Sequence, residues 1–386
     1  MFVIDVPPIA YSDPWVTSFE DRLASLLRGE PRVAYFYEYP DNSTFRYRVY
    51  NMIEVLRGAR TSIGAAYFTA RESEHLDRVV DIADILVFCR TRYTGRIDRA
   101  ITRARNLGKR VLFDIDDLVF DPRYIHLVLD TLDQDLDNPL VWDTWFASVS
   151  RLGATMRLCD KVIATNEYLA ARVQAFADCP VGVVPNFLNR EQMEISGEIF
   201  REKASRGFAR NGQIHLGYFS GTPTHNKDLA LATEALVGLL HLEPRIILRV
   251  VGFMDLPERL RAFGARVETY PLCDFINLQR EIGLVEINLA PLQDNEFTNC
   301  KSELKYFEAG IAGTLTVASP VFTFARSIRD GENGFLAEAH EWYDKMASLV
   351  RDLDAYPDLA RRAYEDCEKD FAWYNQAKSI EEALFS

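Results

Sequence analysis

The chain has 386 residues, 48% of them hydrophobic and 26% charged, with a formal net charge of -13. At ~150 residues per domain the length predicts two domains, and the composition is that of a folded protein. The acidic balance argues against a surface built to neutralise nucleic-acid phosphates, and no stretch reaches the ~20 apolar residues of a membrane span.

From Arg32, short apolar runs rich in β-branched and aromatic residues alternate with helical-period segments, the pattern of βα units on a parallel sheet. Strands are predicted at Arg32–Tyr39, Thr61–Phe68, Ile85–Cys89, Arg110–Ile115, Lys161–Thr165 and Val181–Val184, with helices such as Phe45–Leu56, Gly95–Leu107 and Leu140–Leu158 between them. Residues 1–190 form the first domain on this reading, and the charged stretch 191–212 a linker. A second domain over 213–370 carries strands at Ile214–Phe219, Ile246–Val251, Val267–Tyr270, Val285–Leu289 and Leu315–Ala318. Residues 371–386 read as a terminal helix, expected back on the first domain. The predicted fold is α/β: two Rossmann-like, doubly wound domains facing across a cleft. The six cysteines contain no Cys-x-x-Cys pair and read as packing residues in a reducing cytosol, so the expected location is cytoplasmic.

Ligands of open α/β sheets bind beyond the carboxyl ends of the strands, which directs attention to three segments. The first, YFSGTPTHNKD, joins a strand to a helix. Gly221 permits close backbone approach, Thr222 and His225 are polar, and Lys227 adds charge beside a helix N-terminus, a combination suited to phosphate. A plain loop capped by Thr224 or Asn226, with Lys227 solvated, is the simpler alternative. In the second, NCKSELKYFEAGIAG, helical spacing puts Lys301, Lys305 and Glu308 on one stripe and Leu304, Phe307 and Ile311 on another. The lysines suit a diphosphate and the carboxylate suits ribose hydroxyls; a solvated charge cluster is the alternative. The third, FDIDDLVFD, crowds acids at a strand end, where Asp116 and Asp117 are candidates to orient a hydroxyl or hold a metal, with capping accounting for some of the four. Asn42, Ser43 and Arg46 open a helix that lines the cleft from the other side. Arg46 and Arg48 lie two apart, so only one is expected to reach a ligand and the other to be exposed. No Walker loop, His-Glu-x-x-His or Gly-x-Gly-x-x-Gly after the first strand is present.

GYFSGTPTHNKDLALATEAL, KSELKYFEAGIAGTLTVASP and IRDGENGFLAE, in that order, resemble the donor half of family 4 glycosyltransferases of GT-B architecture, and FDIDDLVFD resembles a segment of enzymes of surface-polysaccharide and O-antigen assembly. The resemblance implies a hexosyltransferase that takes a nucleotide-diphosphate sugar as substrate and needs no obligatory cofactor or metal. It further implies transfer with retention to a glycan or lipid-linked carrier, with peripheral membrane association left open. Lys227 is then similar to the lysine that grips donor phosphates, and Glu308 to the second acid of the family's Glu-x7-Glu pattern. Leu272, Asn299 and Ser302 fall in its donor-side loops. Two positions depart from the pattern: Cys300 stands where the first Glu is expected and Thr222 where an arginine is common, so Lys301 or Lys305 is expected to supply the missing charge and Glu303 the missing acid. An epimerase of the same fold and a non-catalytic nucleotide-sugar-binding subunit are the alternatives.

Overall fold

The structure, a computed structural model, describes residues 1–58, 62–221 and 224–386. Thr222, and the predicted strand start at Thr61, lie outside the described residues.

Among the described residues twelve strands form two six-stranded sheets, every pair parallel. The first holds β1 (Arg32–Tyr37), β2 (Gly64–Thr69), β3 (Ile85–Cys89), β4 (Arg110–Ile115), β5 (Lys161–Ala164) and β6 (Val181–Val183), in the order β2-β1-β3-β4-β5-β6. The second holds β7 (Ile214–Ser220), β8 (Ile246–Gly252), β9 (Val267–Tyr270), β10 (Ile287–Ala290), β11 (Leu315–Ala318) and β12 (Phe335–Leu336), in the order β12-β11-β10-β7-β8-β9. Strand order reverses between β1 and β3 in one sheet and between β7 and β10 in the other, and each reversal opens a crevice at the strands' carboxyl ends. Continuous apolar runs such as ILVFC in β3 follow from burial on both faces.

The predicted linker is largely helical: Asn189 caps a helix over Arg190–Ser205 through a reciprocal box with Gln192. One apolar cluster runs across both domains, joining Val33, Tyr35 and Met52 to Phe275, Val285 and Ala309. The chain ends also cross over. Phe2 pairs with Arg210 and packs in the second domain's core beside Leu216 and Tyr356, while Ile380, Ala383 and Leu384 of the helix Ala377–Phe385 pack in the shared cluster beside Val33 and Met52. Lys161 of β5 donates to Ser386 Oγ at 2.8 Å, which places that last helix on the first domain. Among the described residues no helix is long and apolar enough to cross a membrane.

Candidate active site

Tyr218 and Ser220 end β7, and the helix Asn226–Leu242 starts just beyond, its first turn opening on the β7/β10 crevice. His225 occupies the N-cap position, where Thr224 or Asn226 is expected, and makes no side-chain cap bond. Its Nδ1 lies 2.9 Å from Asp228 Oδ2, and burial lowers the pKa of the ring. Asp228 is itself buried and accepts from the Gln293 backbone at 3.1 Å, which ties the loop after β10 to this helix. A Cβ on Gly221 would meet nothing within 4 Å, so packing among the described residues places no demand for glycine there. Gly252 at the end of β8 is different: φ is +100°, and a Cβ would sit 1.9 Å from the Ser220 carbonyl oxygen. Leu272, half exposed, touches the same spot from the loop after β9.

The second segment departs from the predicted stripe. Its helix spans Leu304–Gly310, so Lys301 lies before it and the three charged groups part company. Lys301 reaches into the first domain, 3.5 Å from Asp117. The Lys305 ammonium is buried against the Tyr218 ring, 4.4 Å from its centroid, and has no hydrogen-bond partner among the described residues. Burial lowers its pKa to about 8. Glu308 is 5% exposed, and its Oε1 accepts from Arg46 Nη2 at 3.3 Å, from Gln192 Nε2 at 3.3 Å and, more closely, from the Tyr47 hydroxyl. The carboxylate expected to meet ribose is therefore held by the first domain.

Lys227 is held likewise. Its ammonium donates to the Asp130 carbonyl at 2.8 Å and to the Asp130 carboxylate at 2.9 Å, across the cleft. Both partners are part-exposed, so the pair is worth at most ~1 kcal/mol. Asp130→Asn is expected to tighten binding of a nucleoside diphosphate up to ~5-fold by freeing Lys227, which titration calorimetry on the two proteins would read; unchanged or weaker binding would place the diphosphate elsewhere.

Cys300 is fully buried, belongs with Phe297 to the first domain's hydrophobic cluster, and has its thiol pKa pushed by burial to about 12. It fills a core position, and its carbonyl accepts from Asn166 at 2.9 Å. Glu303, expected to supply the missing acid, is buried, and burial raises its pKa to about 7. Ser302 accepts from Asn186 at 2.9 Å, and Asn299 binds Asp294 and the Phe322 backbone, both at 2.7 Å. These bonds fix the loop that carries Lys301.

On the first domain the acids divide. Asp121 caps a turn and pairs with Arg123. Asp114 is fully buried and bidentate to Arg48 at 2.8 and 2.9 Å, so the expectation that Arg48 or Arg46 is exposed is overturned for both; Arg46 is only 4% exposed. Their π-helical turn, Arg46–Tyr50, lies against both domains: Arg48 turns inward to β4 while Arg46 stacks on Phe275, 4.7 Å from its centroid. Asp116 accepts from Thr44 at 2.8 Å and from Arg90 at 3.1 Å, and Asp117 lies between Arg90 (3.7 Å) and Lys301. Asn42 accepts from the Tyr11 hydroxyl at 3.2 Å, and Ser43 donates to Asp41 at 2.8 Å.

Arg90 is the residue the sequence reading missed. It follows β3 at the first domain's strand-order reversal with φ +42°, a conformation uncommon for a residue with a Cβ, and its guanidinium gathers Thr44, Asp116 and Asp117. Its position directly after a strand was the one available signal.

Residues 214–353 match the sequence profile of the family described as Glycosyl transferases group 1. Over these residues the second domain is similar to the group 1 glycosyltransferases. Across both domains the fold is similar to solved GT-B structures. Anabaena HepE, in complex with UDP and glucose, shares 14% identity over 91% of this chain and 98% of its own, with a TM-score of 0.60. A glycosyltransferase from Rickettsia africae shares 12% over 92% and 98%, with a TM-score of 0.61. Sucrose-phosphate synthase from Thermosynechococcus elongatus shares 14% over 91% and 97%, with a TM-score of 0.55. At these identities the likeness establishes the fold. No curated protein sequence matches the chain. The matched residues include the His225, Lys227, Lys301, Lys305 and Glu308 positions described above.

Proposed function

We propose that this protein transfers a hexose or deoxyhexose from a nucleoside-diphosphate sugar to a hydroxyl of a glycan or lipid-linked acceptor, with retention, in the assembly of cell-surface polysaccharide. The observation that carries the donor part is the Lys305 ammonium, buried beside the first turn of the helix Asn226–Leu242 without a partner among the described residues. A buried ammonium without a hydrogen-bond acceptor is costly even with Asp228 and Glu308 acting on it from a distance, and a site that keeps one suits an incoming anion. Lys301 and the uncapped helix start add positive potential at the same crevice, and the open space around Gly221 leaves room for a phosphate against the backbone. Lys227 and Glu308 join the donor when they leave Asp130 and Arg46.

The leaving group fixes the chemistry. The bond from sugar C1 to the diphosphate oxygen breaks while the acceptor oxygen bonds to C1 on the same face, and the acceptor's hydroxyl proton passes to the departing diphosphate. Lys305 and the helix N–H groups stabilise the growing negative charge on that diphosphate, each well-placed donor contributing on the order of 3 kcal/mol. Asp116 and Asp117, held by Arg90 and Lys301, orient the acceptor hydroxyl.

HepE, solved with UDP and with UDP-glucose, gives uridine sugars the first place in a test. Thermal unfolding is to be followed with UDP, GDP, dTDP, ADP and CMP and their sugar conjugates. A ligand at 100 times its dissociation constant stabilises by about 2.7 kcal/mol. A response to one base that is lost in Glu308→Ala identifies the donor; no response to any of them would defeat the reading. Isomerisation of the donor sugar without an acceptor would instead identify an epimerase.

A further inference from the structure

Two adjoining cavities occupy the first domain's crevice, where the order of β1 and β3 reverses. One, of about 360 Å³, has Phe36, Leu76, Ile97 and Ala70 among its walls, with Arg92, Arg96 and Arg151 in its lining. The other, of about 480 Å³, includes Tyr39, Asp41, Thr44 and Arg90, and the two share Tyr37, Glu38 and Arg92. Arg90 touches Asp117, and Asp117 touches Lys301 of the second domain, so the larger cavity is the one that adjoins the donor side. The smaller one lies a compartment further away.

Charge singles out the smaller cavity. Its lining carries three arginines and one acid, Glu38, in a chain whose net charge is -13. Glu38 is engaged by Arg92, with Nε 2.8 Å from Oε1, and these bonds lower its pKa against the effect of burial. Arg96 and Arg151 are solvent-exposed, and Arg151 adds to the lowering of the Glu38 pKa without forming an ion pair among the described residues. Each is positioned by a neutral acceptor instead: Arg96 by the Ser73 hydroxyl, and Arg151 by the Tyr93 carbonyl, 2.8 Å from Nε. Exposed guanidinium forks held by neutral acceptors at the rim of an apolar cavity fit an oxyanion attached to an apolar group.

From this geometry we infer that the acceptor is an anionic amphiphile: its phosphate, sulfate or carboxylate meets Arg96 and Arg151, its apolar part fills the smaller cavity, and its reacting hydroxyl lies in the larger one beside Asp116. The assignment of the acceptor rests on the transferase reading; the anion site does not.

The test titrates the intact protein at low ionic strength with hexyl phosphate, hexyl sulfate, hexanoate and, as the neutral control, hexyl glucoside, with UDP titrated separately. One or more of the anionic probes binds, hexyl glucoside does not at the same concentrations, and the preferred head group names the anion. Affinity falls at least ~10-fold in the Arg96→Gln/Arg151→Gln double variant, whose unfolding temperature reports its integrity, and survives in Lys305→Met. Equal binding of hexyl glucoside, undiminished binding in the folded double variant, or loss confined to Lys305→Met would each overturn the inference. Nucleotide binding with no response to any anionic probe overturns it and leaves the transferase reading standing. Arginine-dependent probe binding with no response to any nucleotide sinks that reading while the anion site survives.

Discussion

Lys305→Met raises the stability of the ligand-free protein and at the same time weakens nucleoside-diphosphate binding by ~10–100-fold. Both effects have one cause. The ammonium is desolvated against Tyr218 with no hydrogen-bond acceptor among the described residues, so replacing it by a thioether of similar length removes a buried charge and keeps the packing. With a diphosphate present the same ammonium makes a charge-assisted hydrogen bond, worth ~1.5–3 kcal/mol. The pH dependence follows from a pKa lowered to about 8 by burial. An unfolded chain keeps its lysine protonated to ~10.4, so between about 8 and that value the unfolded state binds more protons and this group's penalty on folding fades as pH rises. Nucleotide affinity runs the other way, since binding needs the charged form: it is full below about 8 and falls about tenfold per pH unit above it. Denaturation midpoints with and without UDP, measured at pH 6.5 to 9.5 on both proteins, check all of this. A variant that is less stable and binds UDP as tightly as its parent would remove Lys305 from the site.

Asp114→Asn is expected to destabilise the protein by ~3–5 kcal/mol, the cost of leaving one member of a buried ion pair alone. Arg48 is fully buried, and besides Asp114 it donates to the Val184 carbonyl at 2.7 Å and to Asn186 at 3.2 Å. Asn186 in turn holds Ser302, so loss of Asp114 loosens the Lys301 loop as well as the sheet. Arg48→Met with Asp114→Leu should recover much of the stability, because apolar residues of similar volume replace such pairs at little or no cost. Urea denaturation of the two variants separates the cases. If Asp114→Asn unfolds at the parent's midpoint, the pair is not the structural anchor its geometry indicates.

The strands were legible because parallel strands buried on both faces are continuous apolar runs, and eleven of the twelve lie within a few residues of their predicted places. The exception, β12, is two residues long and pairs at the sheet edge, too short to leave a period. The segments that meet at the site were legible for a related reason: each follows a strand at a crevice. What each side chain touches was not. Arg46 and Glu308 are separated by 262 positions, and Lys227 and Asp130 by 97, and neither helical nor strand periodicity carries information over such distances. Cys300 shows how a motif can mislead. Its departure from Glu suggests a missing group in a ligand site, whereas the position is buried in the core of the other domain. Arg48 misled in the opposite sense, because spacing by two on a helix speaks of faces and says nothing of whether either face is solvated.

The crossed chain ends bear on how the molecule would come apart. A cut at residue 212 separates the two sheets but not their cores: the amino-terminal piece would carry Phe2 and its neighbours away from Leu216 and Tyr356, and the other would carry off Ile380, Ala383 and Leu384 from beside Val33 and Met52. Each fragment would expose an apolar scar and hold a segment suited only to the other. Reassembly of two co-expressed fragments, rather than solubility of either one alone, is the behaviour this topology favours, and circular rejoining near 212 is a poorer choice than a break in an exposed loop remote from both crossings.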